Sequence, residues 1–241
     1  TLAIFCARGG MRSRSVVNLL EHFGYEAYQL AKGYKEYRHG VMEYLDHFRP
    51  GLIVVHGLTG TGKTRILQEL DNTIDLEDLA QHRSSLFGAV DRIPRKQREF
   101  ESLLVETIRS LGEPPYFIEG ESRKIGGVFI PKPLALAMKE GICVRVNCSM
   151  ETRIKRIIED YPVADENTLT QLEKILNSLR QKMGNKEIDR LCTLLRKGPL
   201  EELVRTLLLD YYDKRYSNSM SDYSYDFELS SEDISIAAAR L

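Results

Sequence analysis

The chain has 241 residues, 42% of them hydrophobic and 29% charged, with 17 Gly and 8 Pro. That composition excludes collagen-like, cysteine-stapled and disordered proteins and leaves room for one large domain or two modest ones. Lys plus Arg number 34 against 35 acids, a net charge of -1, so no global field points to nucleic acid or to an anionic membrane.

The balance is uneven along the chain. Residues 217–241 carry five acids (Asp222, Asp226, Glu228, Glu232, Asp233) and one base, Arg240, which leaves 33 bases against 30 acids elsewhere. A mildly basic body can accept phosphate-rich partners. The cysteines at 6, 143, 148 and 192 form no CxxC pair, which argues against a zinc knuckle and for a reducing compartment. With no signal-peptide pattern and no apolar run of transmembrane length, a cytoplasmic protein without membrane contact is expected.

The first elements are a short apolar strand, Thr1–Phe5, and a helix over Ser13–Phe23 stopped by Gly24. Tyr25–Leu30 reads as a strand and Tyr34–Phe48 as a helix with Tyr37, Val41, Tyr44, Leu45 and Phe48 on one side. Arg49-Pro50-Gly51 is a break and the expected domain boundary. Leu52–Val55 is a continuous apolar run, as in a buried parallel strand. Further strands are expected at Thr73–Leu76, Tyr116–Ile118 and Ile142–Val146, with a mostly helical segment over Arg92–Leu111. From Met150 the pattern is helical in pieces ending near Tyr161, Met183, Lys197 and Tyr216. Residues 217–241 read as a loose acidic extension. The alternation predicts an α/β fold with an essentially parallel sheet. Cys143, Cys148 and Cys192 are read as structural.

Gly57-Leu58-Thr59-Gly60-Thr61-Gly62-Lys63-Thr64 matches GxxxxGK followed by Ser or Thr, and it lies between a strand and a helix. Glycines let successive amides turn toward phosphate oxygens, and the helix N-terminus adds positive potential. Lys63 would reach the terminal phosphates and Thr64 would hold Mg²⁺, with Gly57, Thr59, Gly60, Thr61 and Gly62 forming the cradle. Glu119 follows a strand, where an acid that orders magnesium water is expected, and Glu121 and Arg123 follow close behind. His82-Arg83-Ser84-Ser85 is a polar cluster whose plainer interpretation is a helix cap. Arg153 and Arg156 share a helical face, either closing over phosphates or forming ordinary surface charge.

Cys6-Ala7-Arg8-Gly9-Gly10-Met11-Arg12-Ser13 places a cysteine at a strand end just before a helix. Loop amides and the helix dipole favour thiolate. Gly9 and Gly10 let the backbone curl around an anion, and Arg12 completes a C-x5-R spacing. That arrangement serves a thiol phosphatase or a sulfur or selenium carrier; its plain alternative is a small buried cysteine.

Together these segments resemble the tRNA 2-selenouridine synthase family, in which a rhodanese-like domain precedes a P-loop domain. The resemblance rests on the order and spacing of Cys6–Ser13, Gly33–Arg38 (GYKEYR), Gly57–Thr64, His82–Gly88 (HRSSLFG), Glu119–Gly126 (EGESRKIG) and Leu209–Tyr216 (LDYYDKRY). It implies five parts: 1–48, the C-terminal part of a rhodanese-like domain with the cysteine loop; 49–51, a linker; 52–150, a P-loop NTPase-like α/β domain; 151–216, a helical region that is a lid or a tRNA contact; and 217–241, the acidic extension.

It also implies an enzyme that replaces the sulfur of wobble 2-thiouridine (position 34) with selenium. Selenophosphate and geranyl diphosphate would be substrates, and an S-geranylated tRNA the intermediate. Cys6 and Arg12 would be catalytic, with Arg8, Gly9 and Gly10 as anion cradle and the P-loop holding the diphosphate. His82, Arg83, Ser84, Glu119, Glu121, Ser122 and Arg123 would support it. Mg²⁺ would sit at Thr64; the motif leaves ATP or GTP use open. The implied partners are tRNA and a selenophosphate-producing enzyme. The sequence departs from the family in having Ala7 where a Trp is common. Most of a rhodanese-like domain would precede the cysteine, so its N-terminal half is expected upstream in the same gene or on a separate chain. The P-loop, Ile118–Glu121 and the Arg-bearing helix also fit a nucleoside or small-molecule kinase, which gives Cys6 no role. A non-catalytic tRNA-binding P-loop protein is the third alternative.

Overall fold

A computed structural model describes residues 1–90, 92–120, 122–163, 165–220 and 223–241, apart from the side chains of 217–220. Strand β1 (Leu2–Ile4) leads through the cysteine loop into α1 (Met11–His22), and β2 (Ala27–Gln29) pairs parallel to β1 in the register Leu2–Ala27, Ala3–Tyr28, Ile4–Gln29. Gly24, at φ 82°, ends α1 in the left-handed conformation that glycine adopts without steric cost. Helix α2 (Gly33–His47) follows.

The second sheet is built from β3 (Leu52–His56), β4 (Thr73–Ile74), β5 (Tyr116–Glu119), β8 (Ile142–Asn147) and β9 (Phe227–Ser230), in the order β4-β5-β3-β8-β9. Every neighbouring pair is parallel. Between these strands lie α3 (Lys63–Gln68), α4 (Leu76–Ala80), α5 (Gln97–Ser110), the hairpin β6 (Lys124–Ile125) with β7 (Val128–Phe129), and α6 (Lys132–Glu140). The helical region holds α7 (Met150–Asp160), α8 (Glu166–Ser178), α9 (Arg180–Met183), α10 (Asn185–Lys197) and α11 (Leu200–Leu207). A π turn over Leu208–Tyr212 leads into α12 (Asp213–Met220), and α13 (Ile234–Ala238) closes the chain. The α/β architecture with a parallel P-loop-type sheet is the one expected.

Central β3 is apolar on both faces because both are covered. On one side Leu52 and Val54 pack with α5 and α6 through Phe100, Leu104, Ile108 and Leu134. On the other, Val55 and Val146 pack with Ile66 and Leu67 of α3 and Ala237 and Ala238 of α13. A separate core fills the helical region, with Leu172, Leu176, Ile188, Leu191 and Leu208 among its members.

Two expectations are corrected. Residues 223–241 are not a loose extension: β9 completes the sheet beside β8, and Ser231 is fully buried. The segment's acids sit on its exposed positions, which is why its composition imitates a solvated tail. Helix α2 does not belong to the cysteine unit alone. Val41 and Leu45 enter the P-loop core, Arg38 pairs with Glu101 of α5, and Phe48 stacks on Tyr116 at 6.2 Å. Arg92–Leu111 is mostly helical, as expected, with the helix starting at Gln97 beyond Pro94, which cannot donate to a helical ladder.

Candidate active site

The P-loop begins where β3 ends. Gly62 sits at φ 87°, and a Cβ there would lie 2.7 Å from Ile234 Cδ1 and 2.9 Å from Arg156 Nη1. Only glycine lets the loop turn into α3 under those neighbours. Lys63 Nζ donates to the Gly57 carbonyl at 3.1 Å, and Thr64 Oγ1 donates to Glu119 Oε1 at 2.5 Å. Glu119 is fully buried at the end of β5, whose register beside β3 carries it to Thr64. A hydroxyl and a carboxylate together are hard oxygen donors that suit Mg²⁺, which retains waters for its other positions. His56 ends β3 beneath the loop; burial and then Lys63 bring its pKa down to about 4, so it is neutral at pH 7.

Two arginines fix the loop's outer wall. Arg153 Nε donates to the Thr59 carbonyl at 2.8 Å, while its Nη atoms hold Asp213 at 2.6 and 3.0 Å. Arg156 Nη1 donates to the Thr61 carbonyl at 2.8 Å, and Nη2 donates to the Ser231 and Glu232 carbonyls at 2.6 and 3.2 Å. Both are about 5% exposed or less. They are therefore not ordinary surface charge: they tie the P-loop to α12 and to the segment after β9. The Ser231 hydroxyl adds a bond to the Thr61 carbonyl at 2.8 Å. These braces escape sequence reasoning because Arg156 and Ser231 are 75 residues apart.

The supporting residues divide. His82 packs its ring against the backbone of Gly126, joining two of the sequence blocks. Arg83 donates to the Asp160 carbonyl at 2.8 Å and lies 4.5 Å from the centre of the Tyr161 ring, so it binds α7. The Ser84 amide donates to the Glu77 carboxylate. Ser122 and Arg123 are exposed, and the Ser122 hydroxyl donates to the Lys124 carbonyl at 2.8 Å. Glu121 lies outside the described residues.

In the cysteine loop, Cys6 Sγ accepts from the Gly10 amide at 3.2 Å and from the Ser13 hydroxyl at 3.3 Å. Gln29 Nε2 donates to the Gly9 carbonyl at 2.7 Å and to Ser13 Oγ at 2.9 Å, pinning the loop to β2. The Tyr34 and Lys35 amides donate to the Cys6 and Ala7 carbonyls at 2.9 and 3.0 Å. Gly9 and Gly33 meet backbone to backbone; a Cβ on Gly33 would lie 2.2 Å from Gly9 N. That approach explains why GYKEYR accompanies the cysteine motif. The Ser13 hydroxyl, followed by the amides of Arg8, Gly10 and Ser13, outweighs the opposing desolvation and lowers the Cys6 pKa to about 6. Arg8 and Arg12 are exposed beside it. Burial raises the pKa of Cys143, Cys148 and Cys192, the opposite direction.

Ser13→Ala is expected to move the pH midpoint of Cys6 alkylation by iodoacetamide upward from about 6, toward the ordinary thiol value of about 8.5. An unchanged midpoint would show that the hydroxyl does not hold the thiolate.

A glycine-rich anion loop between a buried parallel strand and a helix, backed by a carboxylate on the next strand, defines a P-loop α/β protein. A low-pKa cysteine loop on a second, smaller parallel sheet accompanies it. Residues 50–239 match the family model described as tRNA 2-selenouridine synthase AAA domain. The chain is 31% identical to a tRNA 2-selenouridine synthase of Pseudomonas syringae pv. syringae, over 89% of this chain and 67% of that one. It is 32% identical to one of Photobacterium profundum, over 90% of this chain and 68% of that one. The chain belongs to the tRNA 2-selenouridine synthase family. No helix among the described residues is long and apolar enough to cross a membrane.

Proposed function

We propose that this protein exchanges the sulfur of a 2-thiouridine in tRNA for selenium, with geranyl diphosphate and selenophosphate as substrates. The observation that carries this reading is an apolar cavity that meets the P-loop at Thr59. Phe87, Ile157, Tyr161, Leu172, Leu176 and Tyr212 are among its lining residues. The Ser85 and Tyr161 hydroxyls bond to each other at 2.9 Å, and burial raises the pKa values of Tyr161 and Tyr212 further above the neutral range, so these polar groups add no charge to the wall. A wall of this kind suits a hydrocarbon tail whose diphosphate occupies the P-loop. Its burial is worth about 0.8 kcal/mol per CH₂. The polar side chains of the lining are hydroxyls only, with no amide or carboxylate to read a base edge, which weighs against a nucleoside kinase.

In the first step the thiouridine sulfur attacks C1 of the geranyl group. A C–S bond forms, the C1–O bond breaks, and diphosphate leaves with the electron pair; the base loses its N3 proton to solvent. Lys63 and the loop amides neutralise the leaving charge. Thr64 and Glu119 would hold Mg²⁺, which adds charge stabilisation there. In the second step the Cys6 thiolate attacks phosphorus of selenophosphate, the P–Se bond breaks, and hydroselenide leaves. Hydroselenide displaces geranyl thiol from C2 of the base, and water hydrolyses the S-phosphocysteine to phosphate and thiol. Arg8, Arg12 and the Gly10 amide suit the phosphoryl oxygens, and the Ser13 hydroxyl donates to the departing thiolate.

Exposed Leu2, Val16, Leu19 and Phe23 on the cysteine unit are the kind of surface that further strands of a rhodanese-like sheet would cover. Mass spectrometry of a 2-thiouridine anticodon stem-loop incubated with the protein tests the reading. A geranylated product is expected with geranyl diphosphate, and a selenouridine product after selenophosphate is added. Neither product, with the complementing rhodanese half also supplied, would overturn it.

A further inference from the structure

Phe5, Tyr34 and Tyr37 form a ladder that starts at the residue preceding Cys6. Phe5 stacks on Tyr34 with ring centres 6.0 Å apart, and Tyr34 lies 5.9 Å from Tyr37. Tyr37 shares a face of α2 with Val41 and Leu45, but the stripe enters the core only from Val41 onward: Val41 and Leu45 are buried, and Tyr44 stacks on Phe48 at 5.7 Å. Phe5 is instead 58% exposed and Tyr37 42% exposed, so core packing does not account for them.

The ladder runs into a groove between α2 and the start of α5, lined by Tyr34, Tyr37, Lys96, Arg98, Glu99 and Leu103 among others. Lys96 and Arg98 are exposed and have no ion-pair partner among the described residues. The acid on this rim, Glu99, is already paired with Arg95 at 3.5 Å. At the other end of the ladder stand Arg8, Arg12 and Lys35, all exposed. Aromatic faces flanked by cations suit one ligand chemistry in particular: unpaired nucleotides, whose bases stack and whose phosphates need positive partners. A hydrophobic peptide would leave the cations unused, and a folded duplex would leave the rings unused.

We infer that this groove binds the single-stranded nucleotides beside the modified base and leads that base toward Cys6. The inference rests on the proposed tRNA substrate and adds where the RNA lies. Tyr34 also fixes the cysteine loop, its backbone N–H donating to the Cys6 carbonyl at 2.9 Å, so docking and chemistry share an anchor.

The test is fluorescence anisotropy of the full chain with a labelled anticodon stem-loop carrying 2-thiouridine, across a salt series. Tyr37→Ala is expected to weaken binding about tenfold, while Tyr37→Phe stays within about twofold because the ring is kept. Lys96→Ala with Arg98→Ala is expected to reduce the slope of log K against log salt by about 1.4, at about 0.7 per single-strand phosphate contact. Thermal stabilisation by pyrophosphate, read at the P-loop, should be unchanged in all three variants, which establishes that they fold. Wild-type binding with every variant within about twofold of it would overturn the groove while leaving the proposed reaction standing. Failure of the wild-type chain to bind the stem-loop would overturn both.

Discussion

Arg156→Leu is expected to destabilise the protein by about 3 kcal/mol and to abolish diphosphate binding together with it. Its guanidinium satisfies the carbonyls of Thr61, Ser231 and Glu232. Leucine removes all three bonds and returns none. A charged donor to a buried carbonyl contributes about 1.5–3 kcal/mol, and each acceptor left dry costs about 1–3. The Thr61 carbonyl keeps the Ser231 hydroxyl, and relief of the arginine's own desolvation offsets part of the loss, which brings the sum to the lower figure. Urea unfolding measures it. A loss below about 1 kcal/mol would mean that solvent replaces the side chain. The functional part follows from position: Gly62 lies against the same guanidinium, so the loop loses its wall as well as its tie.

Lys63→Ala is expected to lower single-turnover geranyl transfer at least about a hundredfold, the effect of removing one preorganised donor to a developing oxyanion. The cost in global stability should be small, because the side chain is only half-buried and its bond to the Gly57 carbonyl is 3.1 Å. Cys6→Ala should leave geranyl transfer intact and stop selenium incorporation. A Lys63→Ala rate within about threefold of wild type would remove the P-loop from the diphosphate step.

Much of the fold was legible because its signals are local. The apolar run at Leu52–Val55, the glycine spacing of Gly57–Thr64, and Cys6 followed by Gly9 and Gly10 each carry their conformation within eight residues or fewer. The parallel sheet followed from the alternation of elements. What stayed hidden is non-local. Phe227–Ser230 alternates apolar and polar side chains, a strand signal only four residues long and masked by the acidic, serine-rich composition around it; its place comes from pairing with β8. Arg153 and Arg156 recur at helical spacing like many surface bases, and only the fold reveals that they are buried. The cavity beside Thr59 is assembled from α7, α8, α10, α11 and the segment around Phe87, so no window of sequence contains it. The cysteine loop was legible as a motif, but its lock on Gly33 required seeing two glycines meet.

The bracing of the P-loop by Ser231 and by the carbonyls of 231 and 232 imposes an order on synthesis. A ribosome that has made β3, the loop and α3 has exposed an anion cradle whose wall is still untranslated. Arg156 emerges without its acceptors, and the sheet lacks its last parallel strand until residues 227–230 have cleared the exit tunnel. Domains tend to fold as units during elongation, N-terminal parts first. Here the phosphate-binding loop waits for a strand made more than 150 residues later, so nascent chains stalled before residue 227 should be unable to bind diphosphate.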